Sequence, residues 1–275
     1  LNRIALITTK SDKSATLFIS EVNKKWFHFL FIDYSIDNER FSSQLVDFNP
    51  DLLYLRDPFN TLNYSLGNIQ NKVEICKSIN ANYIDQTSDI EDLLFEDKWV
   101  QYQKFSKYQA KTELFVDKAS FKSERFIYKP RISSRGRGIN FDQIPPVDGS
   151  YIQQEKLLII KEFRIFVVSG EILPQIALRS SKTENSKVKQ RGVFDIKTVS
   201  GLEDFVDEIM SLIKFDLVGL DVAVLNNNEF KLIEVNRSPQ FSAYFRDSGT
   251  NPAEIMLRKY RSLFKNYTSN YRTHF

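Results

Sequence analysis

The chain is short of the residue types on which disulfide and histidine chemistry depend. Its one cysteine, Cys76, can form neither an internal disulfide nor a zinc cluster, which fits a reducing compartment. His28 and His274 are the only histidines among 275 residues, which argues against Ser–His–Asp triads and His-rich metal sites. No apolar run approaches the roughly 20 residues of a membrane-spanning helix. The opening Leu1-Asn2-Arg3-Ile4-Ala5-Leu6-Ile7-Thr8 turns polar too soon for a secretory signal. An excess of one charge sign is missing as well: 38 Lys+Arg against 35 Asp+Glu leave +3, too little for a chain-wide field aimed at nucleic acid or membrane. The expectation is a cytoplasmic protein, bound to neither nucleic acid nor membrane, whose chemistry uses carboxylates, Lys, Arg and backbone amides.

What is present supports a sizeable core. Hydrophobic residues make up 42% and charged residues 27%, which excludes a disordered or collagen-like chain. The length suits two domains or one subdivided domain. In the first third, strand-like Arg3–Thr8, Trp26–Asp33 and Asp51–Leu55 alternate with helical Asp12–Lys25, capped by Asp12 or Ser14, and with Leu66–Ile79. A short strand follows around Tyr83 and Ile84. This β-α-β order predicts a parallel sheet over residues 1–95. The first strand lacks a following G-x-G-x-x-G, so a dinucleotide site is not supported.

Beyond residue 95 the pattern changes to α+β. Asp97–Tyr108 reads as a helix, and Thr112–Val116, Arg125–Lys129 and Tyr151–Gln154 as short strands. Glu162–Val168 and Glu171–Leu178 form a hairpin about Ser169-Gly170. Pairing about that turn puts Arg164 opposite Gln175, with Arg179 on the same face. Helix Leu202–Lys214 has Phe205, Ile209, Met210, Leu212 and Ile213 on its apolar side. A second hairpin, Val218–Leu225 with Phe230–Val235, precedes a helix at about Pro252–Lys265. Cys76, Trp26 and Trp99 read as packing residues.

The second hairpin carries the most informative pattern. With an even-numbered turn centred between Asn227 and Asn228, Asp221 lies directly opposite Glu234, and Asn236 shares their face. On that face the same register places Ala223, Leu225, Phe230 and Leu232. Opposed Cβ atoms are about 4.5–5.5 Å apart, where like charges repel, and apolar neighbours make an uncompensated pair costlier. A hard divalent cation relieves this, and two carboxylates with an amide oxygen suit Mg²⁺ carried with a nucleotide. The plainer alternative is a solvated rim, with the two acids facing water or Arg237.

Upstream, Lys129 ends a strand and precedes the loop Ser133–Gly138, in which Ser133, Ser134, Gly136 and Gly138 suit a phosphate cradle. No G-K-[ST] follows, so this is not a Walker loop; a flexible basic loop or an RGG-like RNA-binding tract is the alternative. Arg179–Arg191 holds Arg179, Lys182, Lys187, Lys189 and Arg191 against Glu184. That run is either an exposed loop or a cover for phosphate groups.

Together, these pieces resemble the ATP-grasp superfamily, most of all its ribosomal-protein glutamate ligases and microviridin-type peptide-cyclising ligases. Asp97-Lys98 with Gln103 resembles the family's D-K-x4-Q helix, whose Lys contacts phosphate. Lys129-Pro130 is similar to its second lysine, Ser133–Gly138 to its mobile loop, and Gln154-Glu155-Lys156-Leu157 to the hinge that receives adenine. Glu162-Phe163-Arg164 resembles an acid-x-Arg pattern beside the reacting phosphoryl group, and Asp221, Glu234 and Asn236 fall on the metal ligands. Lys182–Arg191 lacks the Ser-Asn-x-x-x-Gly-Gly text of the glutamate ligases, and Tyr54-Leu55-Arg56-Asp57-Pro58 resembles an Arg/Pro segment of the peptide-cyclising relatives.

The resemblance implies an ATP-grasp fold, α/β followed by α+β. A pre-ATP-grasp domain (1–95) precedes a central subdomain (96–153) and a C-terminal subdomain with the metal hairpin (154–275), the last two clasping ATP and Mg²⁺. It implies an ADP-producing ligase that joins a carboxylate to an amine through an acylphosphate, acting on a peptide, protein tail or amino acid. Arg164 and Arg179 are its expected catalytic residues, and Arg237 with the Ser238-Pro239-Gln240 turn is expected beside the acceptor. A peptide macrocyclase and a non-catalytic nucleotide-binding module are the alternatives. The aromatic tail (Tyr260, Phe264, Tyr267, Tyr271, Phe275) packs either on the core or on a second subunit, the latter giving a homo-oligomer.

Overall fold

The computed structural model describes residues 3–24, 28–56, 65–86, 94–133, 138–139, 143–179 and 192–260. Three sheets follow one another along the chain. The first is parallel, in the order β2-β1-β3-β4: β1 Arg3–Thr8, β2 His28–Asp33, β3 Leu52–Leu55 and β4 Asn82–Tyr83. β1 and β3 are near-continuous apolar runs because helices cover both faces. Ile4 and Leu6 pack with Leu52, Tyr54, Phe18 and Val22 on one side. Ala5 and Ile7 pack with Leu53, Leu55, Phe41, Leu45 and Val73 on the other. Buried Cys76 belongs to this second cluster.

Helix Lys13–Lys24 starts as expected, with Asp12 accepting from the Ser14 and Ala15 amides at 3.0 and 3.2 Å. A helix at Asn38–Phe48, absent from the sequence expectations, is capped by Asp37 and buries Phe41 and Leu45, with Phe48 packed beside them. Phe41, Leu45 and Phe48 fall at i, i+4 and i+7, a single narrow stripe among Asn, Ser, Gln and charged neighbours. The expected strand at Ile84 ends one residue earlier, and Ile84–Gln86 forms a 3-10 turn.

The second sheet is a small antiparallel layer in the order β5-β7-β6, from Thr112–Leu114, Tyr151–Glu155 and Phe126–Pro130. Three short strands bury little by themselves. A cluster of rings fills one side instead, with Tyr128 5.0 Å from Phe115 and 4.8 Å from Phe121. Helix Lys98–Phe105 precedes this sheet.

The third sheet runs β11-β10-β8-β12-β13, with β8 Ile159–Val168, β10 Gln175–Arg179, β11 Gly192–Asp195, β12 Leu217–Leu225 and β13 Phe230–Asn236; the two-residue β9, Glu171–Ile172, pairs with β8. One face packs Ile165, Val167, Leu220, Val222, Val224 and Val235 on helix Leu202–Met210. That helix is shorter than its apolar pattern, with Ile213 buried beyond its end and Leu212 40% exposed. The opposite face is divided. At one end Phe166, Val168 and Leu217 share one core with Ile4, Leu6 and Tyr54 of the first sheet, joined by Phe241, Met256 and a helix over 252–260. At the other end, alternation presents Glu162, Arg164, Asp221 and Ala223.

Two register expectations change. Around Ser169-Gly170 the pairs run Val168–Glu171 and Val167–Ile172, but Leu173 and Pro174 interrupt the strand. Arg164 therefore faces Ala177, not Gln175, and Glu162 faces Arg179. The slip is an even number of residues, so Arg164 and Arg179 still share a face. In the other hairpin the turn is odd: Leu225 N–H donates to Glu229 O at 2.9 Å, and Asn228 has φ +65°. Ile233 is bulged between the Asp221–Glu234 and Val222–Leu232 pairs. The bulge corrects the face assignment, since Phe230 and Leu232 lie on the helix-packed side and Lys231 pairs with Ala223.

Trp26, Asp57, Pro58, Ser134, Gly136, Lys182, Lys187, Lys189, Arg191, Phe264, Tyr267, Tyr271 and Phe275 lie outside the described residues. Among the described residues no helix is long and apolar enough to cross a membrane.

Candidate functional site

Asp221 pairs directly with Glu234, and Gly219 with Asn236 two residues along β12 and β13. The Asp221 carboxylate is buried, 1% exposed, and holds two guanidiniums. Arg164 forms a bidentate pair with it, Nη2 donating to Oδ2 at 2.6 Å, and Arg179 Nη1 donates to the same Oδ2. Arg179 also bridges to Glu162 Oε1 at 3.2 Å. Burial and the nearby Asp221 charge raise the Glu162 carboxyl above its ordinary range. Burial would lower the Arg164 pKa, but Asp221, Glu234 and Glu162 hold it above normal.

Both predicted lysines converge on this cluster from the second sheet and its helix. Lys98, in the first turn of its helix, lies 4.0 Å from Glu234 Oε1 and donates to Ser133 O and Oγ at 3.1 and 3.2 Å. Lys129 donates to Gln154 Oε1 at 2.7 Å, and Gln154 is fixed in turn by donating to Thr112 Oγ1. Removal from water pulls the Lys129 pKa down to about 8, against the attraction of Glu234 and with the repulsion of Lys98 added. Gly138 closes the loop at φ +72°, where a Cβ would stand 2.7 Å from Pro130 Cγ. Only glycine fits there. In the hinge segment the amides of Glu155 and Lys156 donate to Lys111 O and Arg125 O, and Leu157 follows them half-buried.

The donor chemistry of Asp221, Glu234 and Asn236 fits Mg²⁺: two opposed carboxylates and an amide whose nitrogen, not its oxygen, is used on Gly219 O at 3.4 Å. Asp221 satisfies its charge with arginines, so a cation there requires at least one of them to turn away. Among the described residues no cluster of three His, Cys, Asp or Glu side chains has metal-site geometry; the third donor here is an amide.

Two expectations shift at the edges of the site. Gln103 is exposed, whereas Gln101 is the glutamine that reaches the Asp221–Glu234 hairpin. Its side chain mimics a neighbouring strand, accepting from Val235 N at 2.9 Å and donating to Val235 O at 2.8 Å. The sequence signal was available: Gln101 sits one helical turn after Asp97, on the same side as Phe105. Arg237 is 1% exposed and donates to Leu55 O at 3.1 Å, so its guanidinium faces the first domain and is closed to an acceptor. Asp97, missed as a site residue, caps the Lys98 helix and holds Arg131 at 2.7 Å.

No protein-family model matches the chain, and no curated protein matches it. Solved structures do match its fold. The ATP-grasp ligase PsnB in complex with a minimal precursor, Mg and ADP aligns at TM-score 0.61 and 12% identity, over 91% of this chain and 94% of that one. A RiPP-associated ATP-grasp ligase of Chryseobacterium gregarium, bound to ADP and a leader and core peptide, aligns at 0.62 and 14%, over 93% and 95%. N5-carboxyaminoimidazole ribonucleotide synthetase from Thermotoga maritima aligns at 0.66 and 16%, over 94% and 75%. With a parallel N-terminal sheet, two antiparallel sheets meeting at a charged cleft and this likeness over more than nine-tenths of its length, the chain has the ATP-grasp fold.

Proposed function

We propose that the chain is an ATP- and Mg²⁺-dependent ligase that activates a carboxylate as an acylphosphate and joins it to an amine on a peptide substrate. The observation that carries this reading is the convergence of Lys98, Lys129, Arg164 and Arg179 on Asp221, Glu234 and Glu162 where the second and third sheets meet. Cations exceed carboxylates among these side chains, which suits a polyphosphate. The three sheets favour a three-part division near 1–95, 96–153 and 154–275, with the second boundary moved past β7 (Tyr151–Glu155), which a break at 153/154 would cut.

In this reading Lys98 and Lys129 hold phosphate oxygens. Ser133, Ser134, Gly136 and Gly138 supply loop amides and hydroxyls over them. Gln154 orients Lys129, and the Leu157 amide with the Glu155 segment receives adenine. Asp221, Glu234 and Asn236 would hold Mg²⁺, which when bound neutralises phosphate charge during transfer. Arg164, 15% exposed, stays on the cleft floor beside the transferring phosphoryl group. Arg179, 46% exposed, is the arginine free to leave Asp221 and turn to the acylphosphate, with Glu162 behind it. The substrate carboxylate oxygen bonds to the γ-phosphorus as ADP departs. The amine nitrogen then bonds to the acyl carbon as phosphate departs. Positioning supplies much of the rate.

A peptide substrate is suggested by two structurally similar ligases, one solved with a minimal precursor and the other with a leader and core peptide. The same observation supports the second reading, a macrocyclase that joins side chains within one precursor peptide. The test is ADP release with a panel of acidic peptides, followed by mass spectrometry. Loss of one water per ADP without a second substrate marks cyclisation, and mass gained from an added amine marks intermolecular ligation. ATP binding without ADP release on any peptide would favour a non-catalytic module.

A further inference from the structure

The chain leaving β13 after Asn236 does not lie free against the site. Arg56, at the end of β3 in the first domain, donates through Nη2 to Pro239 O at 3.0 Å and Ser238 O at 3.5 Å. Its Nε donates to Asp12 Oδ2 at 2.8 Å and its Nη1 to Tyr54 Oη at 2.9 Å. Asp12 accepts from Gln240 Nε2 at 2.8 Å, and Ser14 Oγ donates to Gln240 Oε1 at 3.2 Å. Arg56 and Asp12 are 1% and 2% exposed. On its other side Pro239 presses on Gly219, where a Cβ would lie 2.7 Å from Pro239 Cβ and 3.2 Å from Arg164 Cδ. Gly219 is the strand partner of Asn236.

We infer that Arg56 is a positioning residue for the metal hairpin: through the Pro239 carbonyl, it and Asp12 fix the Ser238–Gln240 turn and thereby hold Asn236 and Gly219 in the register that the ligand set requires. A buried ion pair is weak grounds for stability as such, because desolvation offsets the attraction. A guanidinium fork that spends two nitrogens on one carboxylate and one tyrosine, and its third on a carbonyl beside a ligand strand, acts instead on geometry. The inference rests on the metal reading of Asp221, Glu234 and Asn236.

The test is Mn²⁺ binding, followed by electron paramagnetic resonance in the presence of ADP, for the wild type and three variants. Arg56→Lys keeps the charge opposite Asp12 but loses the fork that reaches Pro239. Gln240→Ala loosens the same turn without leaving a buried charge unpaired, and so reports even if Arg56→Lys does not fold. Val22→Ala opens a cavity in the core packed against the Asp12 helix and serves as the destabilised control. Arg56→Lys should bind Mn²⁺ about tenfold more weakly, as for groups that orient metal ligands. Gln240→Ala should shift the same way, Val22→Ala should bind like the wild type, and metal-free ADP affinity should be unchanged in all. Wild-type Mn²⁺ affinity in the Arg56 and Gln240 variants would overturn the inference and leave the metal reading intact. Failure of the wild type to bind Mn²⁺ with ADP would overturn the metal reading itself.

Discussion

Asp221 and Glu234 face each other across β12 and β13 because two irregularities cancel. The odd turn at Asn226–Asn228 shifts the strands by one residue, and the bulge at Ile233 shifts them back. Without the bulge, an odd turn would leave Glu234 out of register with Asp221. The bulge also separates the hairpin into a packed half and a half that faces the charged cleft. Leu232 belongs to the core side and Glu234 to the cleft.

This separation makes Leu232 and Glu234 independent. Leu232 is 1% exposed, so Leu232→Ala should cost about 2–4 kcal/mol of unfolding free energy through lost burial and the cavity left behind. It should leave nucleotide affinity unchanged. Denaturant unfolding and calorimetric titration of the folded variant check both halves.

The proposed role of Lys129 on phosphate predicts that nucleotide binding depends on pH. With its pKa pulled down to about 8, the side chain is charged at neutral pH and mostly neutral at pH 9. Phosphate favours the charged form and raises that pKa, so binding at pH 9 should take up close to one proton, and at pH 6.5 almost none. Affinity should fall as pH rises through 8. Calorimetry in buffers of different ionisation enthalpy measures the proton directly, and Lys129→Arg should abolish the uptake.

Much of this was legible in the sequence, and the exceptions have physical causes. Residue pattern alone locates the three parallel strands Arg3–Thr8, His28–Asp33 and Leu52–Leu55, because strands covered on both faces read as apolar runs. It also finds Lys129, Arg164, Asp221 and Glu234, to which the family resemblance adds Lys98, and the fold brings these together. The faces of Phe230 and Leu232 were not legible, since a bulge has no mark in composition. The position of Gln101 on the buried side of its helix was legible, but its partner, the Val235 backbone 134 residues away, is fixed only by the fold. Asp12 and Arg56 lie 44 residues apart and meet only when β1 and β3 pair within the first sheet.

Asp85 gives the fold its own pH dependence. It adopts φ +61°, accepts from the amides of Asp216 and Leu217 at 2.5 and 3.0 Å, and leaves its second oxygen buried without a partner. Burial pushes its pKa up to about 6, against the pull of Arg237. The folded state therefore holds a proton that the unfolded state has already released, and stability falls as pH rises from about 4 to about 6. Asp85→Asn keeps an acceptor for both amides and removes the buried charge. It should flatten the profile over that window and raise stability at pH 7 by on the order of 1–3 kcal/mol. Urea unfolding at pH 4, 5, 6 and 7 checks this.

The central claim is that Asp221, Glu234 and Asn236 hold a cation which brings a nucleotide phosphate to Lys98 and Lys129. Calorimetric titration of Mg·ATP into the wild type and into Glu234→Gln tests it most directly. The metal hairpin predicts micromolar-range binding by the wild type and a loss of about tenfold or more in the variant, whose fold is preserved because Glu234 is partly exposed and opposes no core residue. Equal affinity in the two proteins, or no binding by either, would contradict it.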